Sequence, residues 1–339
     1  MNRTELKTDI DLRIEGLSLK RGQRENTRIR IVEMPDGSWV EVPLIVLCGA
    51  QPGPVFYVGA AIHGDEINGV EILLRFAREV DLQELRGTVL LVPVQNPMAF
   101  QVQHRYFVGH VFKSPMDQGA DPWTTFPGDA NGNIASLLCH TLYHQLMQHA
   151  DYLIDIHTPT TGGRYAPFAF LPPPRCSVVG ECEKLAKVFG VDFILATDSG
   201  MYVSDQGPHV VMAEQGSLAM GIELGEGGRL EVEEVERGTR GLHNVFREVG
   251  MLPGSTESFG RQMVITSMRE VRARRAGLLH RHVELNDQVD VGQRLATITN
   301  VFGEDVEEIQ APVAGPVVRI ATFPIVSTGE GIIRLGVPR

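Results

Sequence analysis

The feature that most constrains this chain is a series of short, nearly uncharged apolar runs separated by amphipathic stretches. Residues 55–62 (VFYVGAAI) and 88–94 (TVLLVPV) carry no charge, and 151–156 (DYLIDI) is almost as apolar. A membrane span needs roughly 20 apolar residues, so these runs are too short to cross a bilayer. They also lack the alternation of a strand with one wet face. They fit strands buried on both sides, as in a parallel or mixed sheet covered by helices. The covers are supplied between them. Ile67, Val70, Ile72, Leu73, Leu74 and Phe76 recur at helical spacing, and residues 134–149, 178–189 and 230–249 also read as helices. Acidic residues crowd the first half of the last of these, where they complement the helix dipole. Further strands are predicted at 193–196 and 220–224, and a pair within 26–49 flanks the turn Pro35-Asp36-Gly37. Strands alternating with helices predict an α/β fold, a mixed sheet flanked by helices, over residues 1–252.

After Pro253-Gly254-Ser255 the pattern changes. From residue 261 the chain is rich in Val, Ile and Thr with recurrent Gly and Pro, which predicts a small C-terminal β domain over residues 253–339. Residues 289–295 and 325–332 look like a rough duplication of strand, tight turn and return strand. With Ala311-Pro312-Val313-Ala314-Gly315 they resemble the barrel-sandwich fold of lipoyl and biotinyl carrier domains. No lysine follows Lys187, so the attachment site of a swinging arm is absent. The module is expected to be structural, or a wall of an active-site entrance.

The formal charge of −11 disfavours a nucleic-acid partner, which would call for concentrated Lys and Arg. Arg3, Glu5, Lys7, Asp9 and Asp11 break up the first twenty residues, so no ordinary signal peptide is expected there. Cys48, Cys139, Cys176 and Cys182 form no CxxC pair and are expected to be reduced thiols. A cytoplasmic protein follows from this, with no membrane partner. Oligomeric state stays open, a homo-oligomer included.

The chemistry-bearing signal is His63-Gly64-Asp65-Glu66, placed directly after the 55–62 strand. Ligand sites of open α/β sheets lie at this carboxyl edge. If a helix starts near Glu66, its first turn sets imidazole and carboxylate on one face, able to grip one metal ion. By itself such a pair is equally an acidic cluster capping a helix. Asp155-Ile156-His157-Thr158 ends another buried strand with a second histidine. His63, Glu66 and His157 make the two-histidine, one-glutamate set of a catalytic zinc site, one Zn²⁺ per chain. A metal in such a set lowers the pKa of its water to about 7 and polarises a scissile carbonyl. The reaction also needs a carboxylate to carry a proton from water to the leaving nitrogen. Gly221-Ile222-Glu223-Leu224-Gly225-Glu226-Gly227-Gly228 offers two. Glu223, inside an apolar strand where burial would raise its pKa, is preferred over Glu226 in a glycine-rich loop where solvation is expected.

These motifs, with Asn96-Pro97 after the second strand, resemble the succinylglutamate desuccinylase/aspartoacylase family of the zinc carboxypeptidase superfamily over roughly residues 40–250. The resemblance implies a zinc-carboxypeptidase-like sheet with a trailing β domain. It implies His63, Glu66 and His157 as zinc ligands, Glu223 as general base and acid, and Arg105 of His104-Arg105-Tyr106 as the group that steadies a developing oxyanion. It also implies hydrolysis of the amide of a small N-acyl substrate. A peptidase acting on short peptides and a non-catalytic metal-binding protein are the alternatives. Two family features are missing. Where relatives carry an Asn-Arg clamp for a substrate carboxylate before Phe126-Pro127-Gly128, this chain has Trp123-Thr124-Thr125. The phenol that some members contribute from the C-terminal domain is also absent, since no tyrosine follows Tyr202. Asn96, Trp123, Arg164 and Arg229 are the candidates for substrate binding.

Overall fold

A computed structural model describes residues 20–106, 121–260 and 262–339; the charged stretch through Asp11 lies outside the described residues. Strands β1 (Gln23–Glu33) and β2 (Trp39–Cys48) form the expected antiparallel pair, and Asp36 closes their turn by accepting from the Ser38 N–H and hydroxyl. Then follow β3 (Gln51–Ala60), α1 (Asn68–Glu79), β4 (Arg86–Val92), the short α2 (Pro97–Gln101), α3 (Ile134–Gln145) and β5 (Tyr152–His157). Next come β6 (Gly163–Phe170), α4 (Val179–Phe189), β7 (Phe193–Leu195), α5 (Pro208–Glu214), β8 (Leu218–Glu226) and α6 (Val232–Glu248). Strands β4, β3, β5 and β8 run parallel as neighbours, while β2 and β6 flank them antiparallel. This is the mixed α/β sheet that the apolar runs predicted.

Each central strand is apolar throughout because it faces two cores. Val55 and Tyr57 point to a layer with Leu138 and Leu142 of α3. Phe56 and Val58, one step out of phase, point to the opposite layer with Ile72 and Phe76 of α1 and Phe246 of α6. The Phe56 and Phe246 rings stack with centroids 4.4 Å apart. Burying one such ring contributes on the order of 2–3 kcal/mol. Parallel β3, β5 and β8 end on the same side, with His157 directly opposite Glu223 in the ladder. That edge gathers the site.

Strand β6 was not expected from the sequence. It carries Pro167, which cannot donate to a ladder and argues against a central strand. The chain accommodates it where the β6–β8 register shifts between Tyr165 and Phe168. The C-terminal region comprises β9 (Met263–Arg272), β10 (Gly277–Arg281), β11 (Gln288–Val289), β12 (Arg294–Thr299), β13 (Asp305–Gln310), β14 (Gly315–Ala321), β15 (Ile325–Val326) and β16 (Gly331–Pro338). These strands do not stand apart from the α/β part. Among the described residues, β9, β16, β14 and β11 extend the central sheet beyond β7 to twelve strands, and β14 also pairs back onto β6. The ring of pairings β6, β7, β9, β16, β14 thereby closes. A second sheet, β13-β12-β10-β15, packs over a core that includes Leu295, Ile298, Val317 and Ile333. The two duplicated segments are not hairpins. β11 and β12 belong to different sheets, as do β15 and β16, so each segment crosses from one sheet to the other.

Candidate metal centre and active site

After β3 the chain turns through Ala61 at φ 49°, a left-handed conformation that is rare without glycine and costs on the order of 1–3 kcal/mol. The bend delivers His63 to the sheet edge. Gly64 follows because a side chain there would overlap the Ala99 backbone of α2, at 2.0 Å from its carbonyl carbon. Glu66 then sits in a turn closed by its own N–H on the His63 carbonyl, ahead of α1 rather than in its first turn as the spacing suggested. The pair is held by tertiary packing, not by helical geometry.

The three sequence-predicted ligands meet. His63 Nδ1 lies 2.8 Å from Glu66 Oε1, and His157 Nδ1 lies 2.8 Å from Glu66 Oε2. One donor atom from each falls within 4.8 Å of the others, and all three residues are buried. Each histidine is gripped from behind by a carboxylate, His63 Nε2 by Asp121 at 2.9 Å and His157 Nε2 by Asp155 at 2.7 Å. Metal-binding histidines commonly have such partners, which fix the ring and leave Nδ1 free to ligate. Behind Asp155, Gln95 donates to it and accepts from the Tyr57 hydroxyl, so the chain of support ends in the core.

The electrostatics point the same way. Burial alone would lower both histidine pKa values, but the neighbouring carboxylates outweigh it, raising that of His63 and setting that of His157 well above normal. Burial would raise Glu66, yet His63 and His157 hold it far below the carboxylate range. The buried carboxylates of the pocket floor thus draw positive charge onto the two imidazoles. A divalent cation on the two Nδ1 atoms and the carboxylate would supply it, so the residues fit a metal of the zinc class.

Facing the ligands is Glu223, whose Oε1 accepts from the Tyr202 hydroxyl at 3.3 Å and whose Oε2 is buried with no partner. Burial, reinforced by Glu66, raises its pKa to about 7. Glu223, His63, Glu66, His157 and Arg105 line one pocket with Trp123, Phe170, Met201 and Tyr202. Arg105 Nη1 donates to Glu66 Oε1 at 2.7 Å, with Nη2 3.7 Å from Asp121.

The other predicted residues lie elsewhere. Asn96 is buried, capping α2 through Ala99 N–H and donating to the Ile62 carbonyl. Arg164 is engaged by Glu231 and Glu234, and Arg229, largely exposed, by Glu226. None of the three lines the pocket. Glu226 is not solvated; it is buried and accepts from Thr322 of the C-terminal region at 2.7 Å. Sequence reasoning passed over Asp121, Asp155 and Tyr202. Asp155 had a signal, standing two residues before His157 on one strand, so that both side chains share a face.

Comparison with known proteins now adds identity. The model of the succinylglutamate desuccinylase/aspartoacylase catalytic domain matches residues 52–249. The chain belongs to the succinylglutamate desuccinylase/aspartoacylase family. This family match spans His63, Glu66, His157, Arg105 and Glu223, and stops before β9. The chain is 25% identical to the N-alpha-acetyl-L-2,4-diaminobutyric acid deacetylase of Halomonas elongata over 289 residues, 81% of this chain and 79% of that protein. Among solved structures, the product-bound ectoine utilization protein EutE (DoeB) of Ruegeria pomeroyi superposes with a TM-score of 0.81 at 23% identity, covering 95% of this chain and 98% of that one. A family member from Rhodobacter sphaeroides gives 0.81 at 24%, covering 96% and 99%. These two share the fold across the C-terminal strands as well.

Proposed function

We propose that the chain is a zinc-dependent amidohydrolase that removes the acyl group from a small N-acylated amine or amino acid. One observation carries the reading. Two histidine Nδ1 atoms and a glutamate converge on a buried point, and a second carboxylate with an unpartnered oxygen faces them across one small pocket. Zinc held by His63, Glu66 and His157 would supply Lewis-acid polarisation and an activated water. The chain's own residues do the rest. Glu223 Oε2 takes a proton from the attacking water and passes it to the leaving nitrogen; a group titrating near 7 can both accept and donate at neutral pH. Arg105 holds a fixed positive charge beside the site where the carbonyl oxygen gains negative charge. Asp121 and Asp155 keep the imidazoles in the ligating orientation.

The remainder of the substrate meets Trp123, Phe170 and Met201, with no cation among them to hold a carboxylate. An aromatic wall near two glutamates suits an apolar or cationic group. The name of the Halomonas relative, whose substrate carries a second amine beside its carboxylate, agrees with the cationic part of this. Arg164 and Arg229 remain candidates only for the outer end of a longer substrate. We assign the two-sheet C-terminal module to the barrel-sandwich type, bracing the entrance through Thr322. Four buried thiols without a disulfide support a cytoplasmic location. Metal analysis, followed by side-by-side assay of N-acetyl amines, N-acyl amino acids and dipeptides, tests the reading. Turnover of dipeptides alone would make it a peptidase, and a tightly held metal with no turnover would make it a binding protein.

A further inference from the structure

The phenol at Glu223 does not come from the C-terminal region, but a charge that reaches it does. Tyr165 of β6, Arg319 of β14, Arg334 of β16 and Glu270 of β9 stand opposite one another in successive ladders, one row across four strands. Glu270 Oε1 accepts from Arg334 Nε at 3.3 Å and Nη2 at 3.2 Å, and this pairing aims Nη1 at the Tyr165 hydroxyl, to which it donates. The Tyr165 hydroxyl lies 3.2 Å from that of Tyr202, which lies 3.3 Å from Glu223 Oε1. Both phenols and the carboxylate are buried.

Hydrogen-bond inventory fixes the direction of this chain. Arginine only donates and an ionised carboxylate only accepts, while each phenol has one proton. Tyr202 must spend its proton on Glu223, so Tyr165 donates to Tyr202 and receives from Arg334. A proton placed on Glu223 Oε1 would leave one phenol proton in the chain without an acceptor. A proton on Oε2 disturbs nothing, and Oε2 is the oxygen that has no partner. We propose that Arg334, carried by the C-terminal strands, is a positioning residue for Glu223: through Tyr165 and Tyr202 it commits Oε1 and leaves Oε2 as the oxygen that exchanges protons with substrate. This rests on the hydrolase reading above.

The test uses the metal-loaded full chain. Arg334→Met and Tyr165→Phe are each expected to lower kcat by roughly 3–10-fold, the worth of one hydrogen bond, with KM within about twofold because neither residue lines the pocket. The double variant should be no worse than either single one, and Arg334→Lys should restore most of the loss. Unchanged kcat in Arg334→Met, a rise in KM alone, or losses that add would each overturn the relay. If Arg334→Met fails to fold, Tyr165→Phe, which removes a single oxygen, carries the test. A readout independent of turnover is the infrared carboxyl band of Glu223, assigned by difference from Glu223→Gln. It should be displaced in Tyr165→Phe, and an unmoved band refutes the proposal. A wild-type protein inert on every amide, with the band still displaced in Tyr165→Phe, would sink the hydrolase reading and leave the relay standing.

Discussion

The pocket has a charged half and an aromatic half, and they are built on opposite terms. Around Glu66 the polar atoms are committed: its two oxygens take His63, His157, Arg105 and the Thr158 N–H, and each imidazole has a carboxylate behind it. Across from it, the Trp123 indole N–H and Glu223 Oε2 are buried without partners. A buried polar group left unpaired costs about 1–3 kcal/mol, so it marks a place where a ligand can repay the loss. The charged half has the geometry to hold one ion, whereas the aromatic half keeps hydrogen-bonding capacity for something that arrives.

The largest effect that could break this comparison lies in the charged half. His157→Ala should lose most of the bound metal and, with it, measurable activity, while Asp155→Asn should weaken metal affinity by roughly 10–100-fold. Metal content after gel filtration checks both, and undiminished zinc in His157→Ala would remove that residue from the site. Next comes Glu223→Gln, expected to keep metal while lowering kcat by at least ~10²-fold, with Glu226→Gln nearly silent because Glu226 is tied to Thr322. Reversed results would transfer the role to Glu226. The base role proposed for Glu223 needs the ionised carboxylate, so kcat/KM should fall on acidification. Its acid limb belongs at or below pH 7, since burial raises the carboxyl to about 7 and a bound cation pulls it back.

The sequence revealed a part of each half. His63, Glu66 and His157 were legible because each sits at or just past the end of an apolar strand, and strand ends converge in a parallel sheet. Glu223 was legible because an acid between Ile222 and Leu224 has no structural reason to be buried. Asp121 and Tyr202 were not, because they lie at short 3-10 turns whose approach to His63 and Glu223 is set by the folded chain alone. Arg164 and Arg229 lie off the pocket, since proximity in sequence to a ligand motif says nothing of the glutamates that engage them. The C-terminal strands showed their β character but not their continuity with the central sheet, which depends on the long-range pairings β7–β9 and β6–β14.

A substrate panel sharpens the aromatic half. With Trp123-Thr124 in place of the Asn-Arg pair that the family resemblance implies, the described lining of the pocket holds no guanidinium besides Arg105, which Glu66 engages, and a charged hydrogen bond is typically worth about 1.5–3 kcal/mol. N-acetylaspartate and N-succinylglutamate should therefore fall short of neutral or cationic N-acetyl amines by roughly 10²-fold in kcat/KM. Efficient turnover of N-acetylaspartate would place a carboxylate clamp elsewhere in the chain and defeat this account of Trp123.

The smallest effect concerns what the aromatic wall rests on. His209 stacks behind Trp123, ring centroids 5.7 Å apart and 16° from parallel, with Nε2 on the Tyr202 carbonyl at 2.8 Å and Nδ1 buried without a partner. Burial holds its pKa down at about 4, against 6.5 for an exposed imidazole. The unfolded chain therefore binds a proton at His209 more readily than the folded one between those values. The stability it contributes is complete above pH 6.5 and is lost as pH falls toward 4. At pH 5 the loss should be about 2 kcal/mol, roughly 30-fold in the folding equilibrium. Other groups titrate in the same range, so the measurement is a difference: urea unfolding at pH 7.5 and pH 5 for the wild type and for His209→Gln, which cannot take up the proton. The variant should show the shallower decline. Equal declines would mean that His209 accepts its proton in the folded protein, and that this half of the pocket is wetter than its rings suggest.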